Sequence, residues 1–105
     1  MIRTLLLLAI SALASAETRA IHATRFYNSF DHRNEVLARI KPGDTVITRT
    51  LDAAGYDQNT KKLADPSNPL TGPFYIEGAE PGDALLVTLR KVRLNRNWGW
   101  SAYRP

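Results

Sequence analysis

Short runs of apolar, β-favouring residues alternate with turns rich in glycine and proline along most of the chain. These runs predict strands at 35–40, 45–50, 74–76 and 84 to about 94, after an extended opening segment that begins at residue 17. Beyond residue 16, no stretch has the apolar spacing of an amphipathic helix. The pattern therefore predicts an all-β fold, with short strands in a sandwich- or barrel-like sheet.

Two Pro-Gly-Asp turns, at 42–44 and 81–83, precede two of the predicted strands. Proline presets φ and glycine accepts a positive φ, so each pair suits the centre of a type II turn. Hydrogen bonds between the aspartate side chain and the turn backbone explain why aspartate stands at positions 44 and 83. We therefore interpret Asp44 and Asp83 as structural residues. We interpret the repeat as one turn used twice in a β-sheet.

The longest stretch without a predicted strand covers residues 51–73 and is rich in Asp, Asn, Gly and Pro. Loops of this length inside compact domains are usually either functional or disordered. The stretch 68–83, which overlaps its end, has the pattern of a loop, a strand and a tight turn. We expect functional side chains at the borders of the loop.

Two carboxylates are candidate functional groups. Asp52 stands where a strand gives way to the long loop, a position that can supply an active-site ligand. The alternative is that Asp52 caps nearby N–H groups at the loop entrance. Glu77 precedes Gly78 and is either a satisfied structural group or a metal ligand or base. His22 and His32 are less informative, and we interpret His32 as an exposed turn residue.

The N-terminal residues have the pattern of a secretory signal peptide. Arg3 provides a positive start, residues 4–13 are mainly apolar, and Ala-Ser-Ala at 14–16 fits a cleavage site. A membrane anchor is the alternative, but a bilayer span needs about 20 apolar residues. We predict a signal peptide at 1–16 and an exported chain at 17–105, periplasmic or extracellular, without a membrane span after cleavage.

The net charge of +4 is unevenly distributed along the chain. Residues 17–89 contain eight basic and ten acidic side chains, whereas residues 90–105 contain five basic and no acidic ones. Because the excess of positive charge is confined to the tail, we predict no nucleic-acid partner. The tail aromatics and arginines could stack on a base or sugar, or pack against further chain. The absence of cysteine excludes disulfides, thiol nucleophiles and thiolate metal sites.

Four motifs together resemble the N-terminal part of the acetamidase/formamidase family. They are Ile-Lys-Pro-Gly-Asp-Thr-Val at 40–46, Asp-Ala at 52–53, Asn-Pro-Leu-Thr-Gly-Pro at 68–73 and Ile-Glu-Gly-Ala-Glu-Pro-Gly-Asp at 76–83. Their order and spacing agree with the family across roughly residues 36–94. The resemblance implies that residues 17–105 are the N-terminal part of a larger, mainly-β amidase fold.

The same resemblance implies hydrolysis of a short linear amide to a carboxylate and ammonia. Without a cysteine or a serine-nucleophile motif, a metal-activated water is the expected nucleophile, with zinc the expected divalent ion. Asp52 matches the family's Asp-Ala position and is predicted to be a metal-site residue. Glu77 matches its Glu-Gly-Ala position and is predicted to be the catalytic base or a second ligand.

Family members are about three times longer than this chain, so the 105 residues alone are expected to be inactive. Leu85, Val87 and Leu89 alternate along one predicted strand and need a second layer to cover them. The isolated chain is therefore expected to be marginally stable or self-associating, which leaves room for a homo-oligomer. The alternative function is a small exported β-domain that binds a partner or a carbohydrate without catalysis.

Overall fold

The computed structural model describes residues 15–101. It contains four three-residue strands: β1 (Thr18–Ala20), β2 (Ala38–Ile40), β3 (Thr45–Ile47) and β4 (Phe74–Ile76). These described residues include no helix, so the all-β prediction is confirmed. No helix in this part of the chain could cross a membrane.

The strands form two separate parallel pairs. In the first pair β1 lies beside β3, with Thr18 opposite Thr45. In the second pair β2 lies beside β4, with Ala38 opposite Phe74. Parallel pairing requires a long connection between partners, which the loops between the strands provide.

Backbone hydrogen bonds extend the pairs beyond the strand ends. In the first pair, Thr45 N donates to Glu17 O at 2.8 Å and Ile21 N donates to Ile47 O at 2.9 Å. In the second pair, Glu77 N donates to Ile40 O at 2.8 Å. The predicted strands at 35–40 and 45–50 are thus present but shorter than expected, whereas the strand at 74–76 has the predicted bounds.

The two Pro-Gly-Asp turns have the same hydrogen bonds. Asp44 N donates to Lys41 O at 3.0 Å, and Lys41 N donates to the Asp44 carboxylate at 2.9 Å. Asp83 and Glu80 repeat both contacts, also at 3.0 and 2.9 Å. The structural interpretation of Asp44 and Asp83 is therefore confirmed.

The prediction of a strand at 84–94 is wrong. This segment has no assigned strand, and its apolar side chains are exposed, from 64% at Leu85 to 91% at Leu86 and Leu94. Its β-favouring side chains give a local preference, but a strand also needs a neighbouring backbone to pair with. One side-chain contact joins it to β3, where Arg90 Nη1 donates to Thr45 Oγ1 at 3.2 Å.

Large apolar side chains are nowhere fully buried within residues 15–101. The described chain therefore lacks a hydrophobic core of its own, and the contacts that join its segments are mainly backbone hydrogen bonds and a few polar side-chain contacts. This agrees with the prediction that the chain is an incomplete part of a larger domain. The predicted signal peptide lies, except for its last two residues, outside the described residues.

Candidate functional site

Asp52 opens a tight turn at the start of the long loop. Its backbone N–H donates to Tyr56 O, and its carbonyl accepts a hydrogen bond from Gly55 N, both at 3.0 Å. Gly55 O in turn accepts the N–H groups of Leu63 and Ala64, at 2.9 and 3.3 Å. The loop is therefore ordered by its own backbone, and it holds the Asp52 side chain in a defined place.

One carboxylate oxygen of Asp52 caps this turn. Asp52 Oδ1 accepts the backbone N–H of Ala54 at 3.0 Å and that of Tyr56 at 2.9 Å. This arrangement is the N–H capping that the sequence offered as the alternative role for Asp52. Capping engages only one of the two carboxylate oxygens, so it does not by itself exclude a second role.

The other oxygen of Asp52 binds the C-terminal part of the described chain. Asp52 Oδ2 accepts a hydrogen bond from Arg96 Nη2 at 2.9 Å and one from Trp100 Nε1 at 3.2 Å. The side chains of Asp52 and Arg96 are only 15% and 14% exposed, so their ion pair is largely shielded from water. The guanidinium of Arg96 also lies 4.2 Å from the centre of the Trp98 ring.

These contacts frame an open cavity of about 430 Å³. Its wall contains a carboxylate, a guanidinium and an indole, and its lining residues are Asp52, Ala53, Arg96, Gly99, Trp100 and Ser101. The loop supplies the negative charge and the tail supplies the positive charge. A small molecule in this cavity would lie beside the Asp52–Arg96 ion pair and Trp100.

The environment of Asp52 strongly favours its ionised form. The backbone N–H of Tyr56 contributes most to lowering the pKa of Asp52, and Arg96, Trp100 and the N–H of Ala54 add to it. Partial burial acts in the opposite direction but is outweighed. Asp52 therefore remains an anion well below neutral pH.

The described residues do not by themselves fit a metal centre. A catalytic zinc usually takes three protein ligands, and residues 15–101 bring no three His, Asp or Glu side chains together. Each oxygen of Asp52 also already accepts two hydrogen bonds. A metal at Asp52 would need further ligands from elsewhere and would displace a present donor, so the metal-site role stays a prediction.

Glu77 lies at the end of β4, apart from the Asp52 cavity. Its backbone N–H continues the β2–β4 pair, its side chain is exposed, and it is not among the residues that line the cavity. The described structure thus does not bring the two predicted site residues together in one pocket. The catalytic role of Glu77 stays a prediction.

Neither histidine lies in the cavity. His22 is exposed. The His32 side chain is 93% exposed, and its Nδ1 atom lies 3.7 Å from Asp31 Oδ1. The interpretation of His32 as an exposed turn residue is confirmed.

Arg96 and Trp100 are the site residues that the sequence did not reveal. They lie 44 and 48 positions from Asp52, and no local pattern connects such distant residues. The available signal was the contrast between an acidic residue at a loop entrance and a basic, aromatic tail. That contrast suggests an attraction but does not select one partner among several arginines.

Comparison with known proteins identifies the family. The sequence profile described as "Acetamidase/Formamidase family" matches residues 14–104. A protein of Schizosaccharomyces pombe that carries the name "Putative formamidase" is 39% identical over 72 residues, which cover 59% of this chain. The chain spans only 18% of the length of that relative, and no solved structure matches it. The resemblance predicted from the motifs is confirmed, and the chain belongs to the acetamidase/formamidase family.

Proposed function

We propose that this chain is part of an exported amide hydrolase, which converts a short linear amide to a carboxylate and ammonia. Family membership supports this reaction class, and the cavity at Asp52 lies inside the matched region. The paired Asp52 carboxylate and Arg96 guanidinium are the observation that carries the proposal, because they place opposite charges on one cavity wall.

The wall is complementary to a primary amide. Such an amide presents two N–H donors and one carbonyl acceptor, and it would have to replace part of the pairing between the Asp52 carboxylate and the Arg96 guanidinium to bind both groups. The cavity of about 430 Å³ has ample room for a molecule the size of formamide or acetamide. In this proposal Asp52 and Arg96 orient the amide, and Trp100 lines the cavity beside them.

The residues of the chemical step are assigned from the family motifs that they match. Asp52 is proposed as a metal-site residue and Glu77 as the general base or a second ligand, with zinc the expected ion. Because the described residues do not fit a metal on their own, we derive no step through it. The chain spans less than a fifth of its relative, so we propose that these 105 residues alone are inactive.

The test uses the protein expressed from its complete gene. Ammonia release from formamide and acetamide is measured for the wild type and for Asp52→Asn and Glu77→Gln. Loss of an acid–base or ligand group should lower kcat by about 10²-fold or more. Asp83→Asn is the matched control, because Asp83 is an exposed carboxylate that serves a turn.

The outcomes separate the two assignments. An unchanged rate and metal content in Asp52→Asn would exclude Asp52 from the metal site, and an unchanged rate in Glu77→Gln would exclude Glu77 as the base. Equal loss in all three variants would mean that the substitutions damage the fold.

A further inference from the structure

We propose that Asp44 is the docking site for the new N-terminus that forms when the chain is cleaved between Ala16 and Glu17. In the processed protein, the α-ammonium group of Glu17 would pair with the Asp44 carboxylate and fix the start of β1. This inference rests on the proposed export of the chain but not on amide hydrolysis.

The geometry of the pair is already present. Glu17 N lies 2.9 Å from Asp44 Oδ1 and donates a hydrogen bond to it. The other oxygen, Asp44 Oδ2, accepts Lys41 N at 2.9 Å and closes the Pro-Gly-Asp turn. Asp44 therefore joins the turn before β3 to the residue before β1.

The second Pro-Gly-Asp turn shows that this extra contact is not needed to form the turn. Asp83 accepts the N–H of Glu80 in the same way as Asp44 accepts that of Lys41. Within residues 15–101, Asp83 has no additional backbone partner of the kind that Glu17 provides for Asp44. The hydrogen bond from Glu17 is therefore an additional contact on a turn that forms without it.

The cleavage point is exposed and next to the first strand. Residues 15–17 are exposed and have no secondary structure, and β1 begins at Thr18. A signal peptidase would add water across the Ala16–Glu17 peptide bond and break its C–N bond. Ala16 would leave as a carboxylate, and the nitrogen of Glu17 would stay on the chain as an ammonium group.

Cleavage would strengthen the contact without moving its atoms. The donor to the Asp44 carboxylate changes from a neutral amide N–H to a charged ammonium, so an ion pair is added to the existing hydrogen bond. Because Glu17 O accepts the N–H of Thr45 at 2.8 Å, the ion pair would also hold the β1–β3 pair in register.

The charges around Asp44 support its role as an anion. The N–H of Glu17, followed by that of Lys41, lowers the pKa of the Asp44 carboxylate, and the Lys41 and Arg19 cations add to this. An α-amino group normally has a pKa of about 7.7–8.0, and a neighbouring carboxylate raises it. The stabilisation should be complete below that range and should be lost as the pH rises through the raised value.

The first test is the mass of the exported product. The protein is expressed from its complete gene in a bacterial host with an intact secretion system, and the intact mass of the exported protein is measured. The proposal predicts a product that begins at Glu17. A product that retains residues 1–16, or that begins at another residue, overturns it.

The second test titrates the α-amino group of the processed chain by NMR. Wild type and Asp83→Asn should show an α-amino pKa above the ordinary range, and Asp44→Asn should return it to about 7.7–8.0. An N-acetylated chain keeps the hydrogen bond but loses the charge. Its Thr45 amide protection should stay constant through alkaline pH, whereas that of the wild type should fall.

Either of two results would overturn the ionic role of Asp44. One is an α-amino pKa that is the same in the wild type and in Asp44→Asn. The other is a pH response of Thr45 protection that survives acetylation. Ammonia release is measured on the same samples, so failure of this inference and failure of the amidase proposal can be told apart.

Discussion

Gly55 should be the most sensitive glycine of the loop that holds Asp52. It has φ +93°, and a Cβ at this position would lie 2.1 Å from Ala64 O and 2.8 Å from Ala64 C. Alanine would therefore have to adopt a left-handed conformation and push away a backbone carbonyl, which cannot move without disturbing the loop. Gly55→Ala should open the loop and release the Asp52 carboxylate.

The size of the effect follows from two contributions. A left-handed conformation costs a non-glycine residue about 1–2 kcal/mol. Displacing the Ala64 segment weakens the two hydrogen bonds that Gly55 O accepts, each contributing about 0.5–1.5 kcal/mol. We therefore expect a loss of about 2–5 kcal/mol in the local opening free energy, which corresponds to about 30- to 5,000-fold faster amide exchange.

Hydrogen exchange at the Leu63 amide measures this loss directly, because its N–H donates to Gly55 O. Two matched variants separate the cost of the positive φ from the cost of the clash with Ala64. Gly82 has φ +94° but open space where a Cβ would lie, and Gly99 has open space without a positive φ. Gly82→Ala should loosen only its own turn, and Gly99→Ala should change nothing. If the Leu63 amide exchanges in Gly55→Ala at a rate within about twofold of its rate in Gly99→Ala, Gly55 is not needed to hold the loop.

Three other predictions concern charge, association and side-chain stacking. Asp52 has a lowered pKa, so its stabilising effect should be complete above the ordinary aspartate pKa of about 4 and should be lost progressively as the pH falls below it. Arg96→Met should raise this pKa, as followed by NMR of the carboxyl carbon, and an unchanged titration would contradict the ion pair. Leu86→Lys should reduce self-association in analytical ultracentrifugation without lowering amide protection elsewhere, because Leu86 is 91% exposed; undiminished association would contradict a role for this segment. Tyr75→Leu should speed amide exchange in the β2–β4 pair about two- to fivefold, because the Arg39 guanidinium lies 3.9 Å from the ring centre; no change would mean that the stacking contributes nothing.

Local features of the fold could be predicted from the sequence. The run at 74–76 and the two Pro-Gly-Asp turns were identified correctly because each depends on neighbouring residues. Proline and glycine fix the turn dihedrals, and aromatic and β-branched residues favour the extended backbone. The family motifs were also identified correctly, since they combine such local features in a fixed order.

Long-range features could not be predicted in the same way. The parallel pairing of β1 with β3 and of β2 with β4 joins segments that are separated by long loops. The contacts of Asp52 with Arg96 and Trp100 depend on how the tail returns to the loop. The segment at 84–94 shows the opposite error, because a strong β preference formed no strand where the described chain offers no pairing partner.

Ammonia release by the protein expressed from its complete gene decides whether this chain is part of an amide hydrolase. The purified protein is incubated with formamide or acetamide, and ammonia and the carboxylate product are measured together. The wild type should release both products in equal amounts, and Asp52→Asn should lower the rate by about 10²-fold or more. Protection of the Leu63 amide shows that the protein is folded. If the folded protein releases no ammonia from any short amide, the proposed amide hydrolysis is wrong.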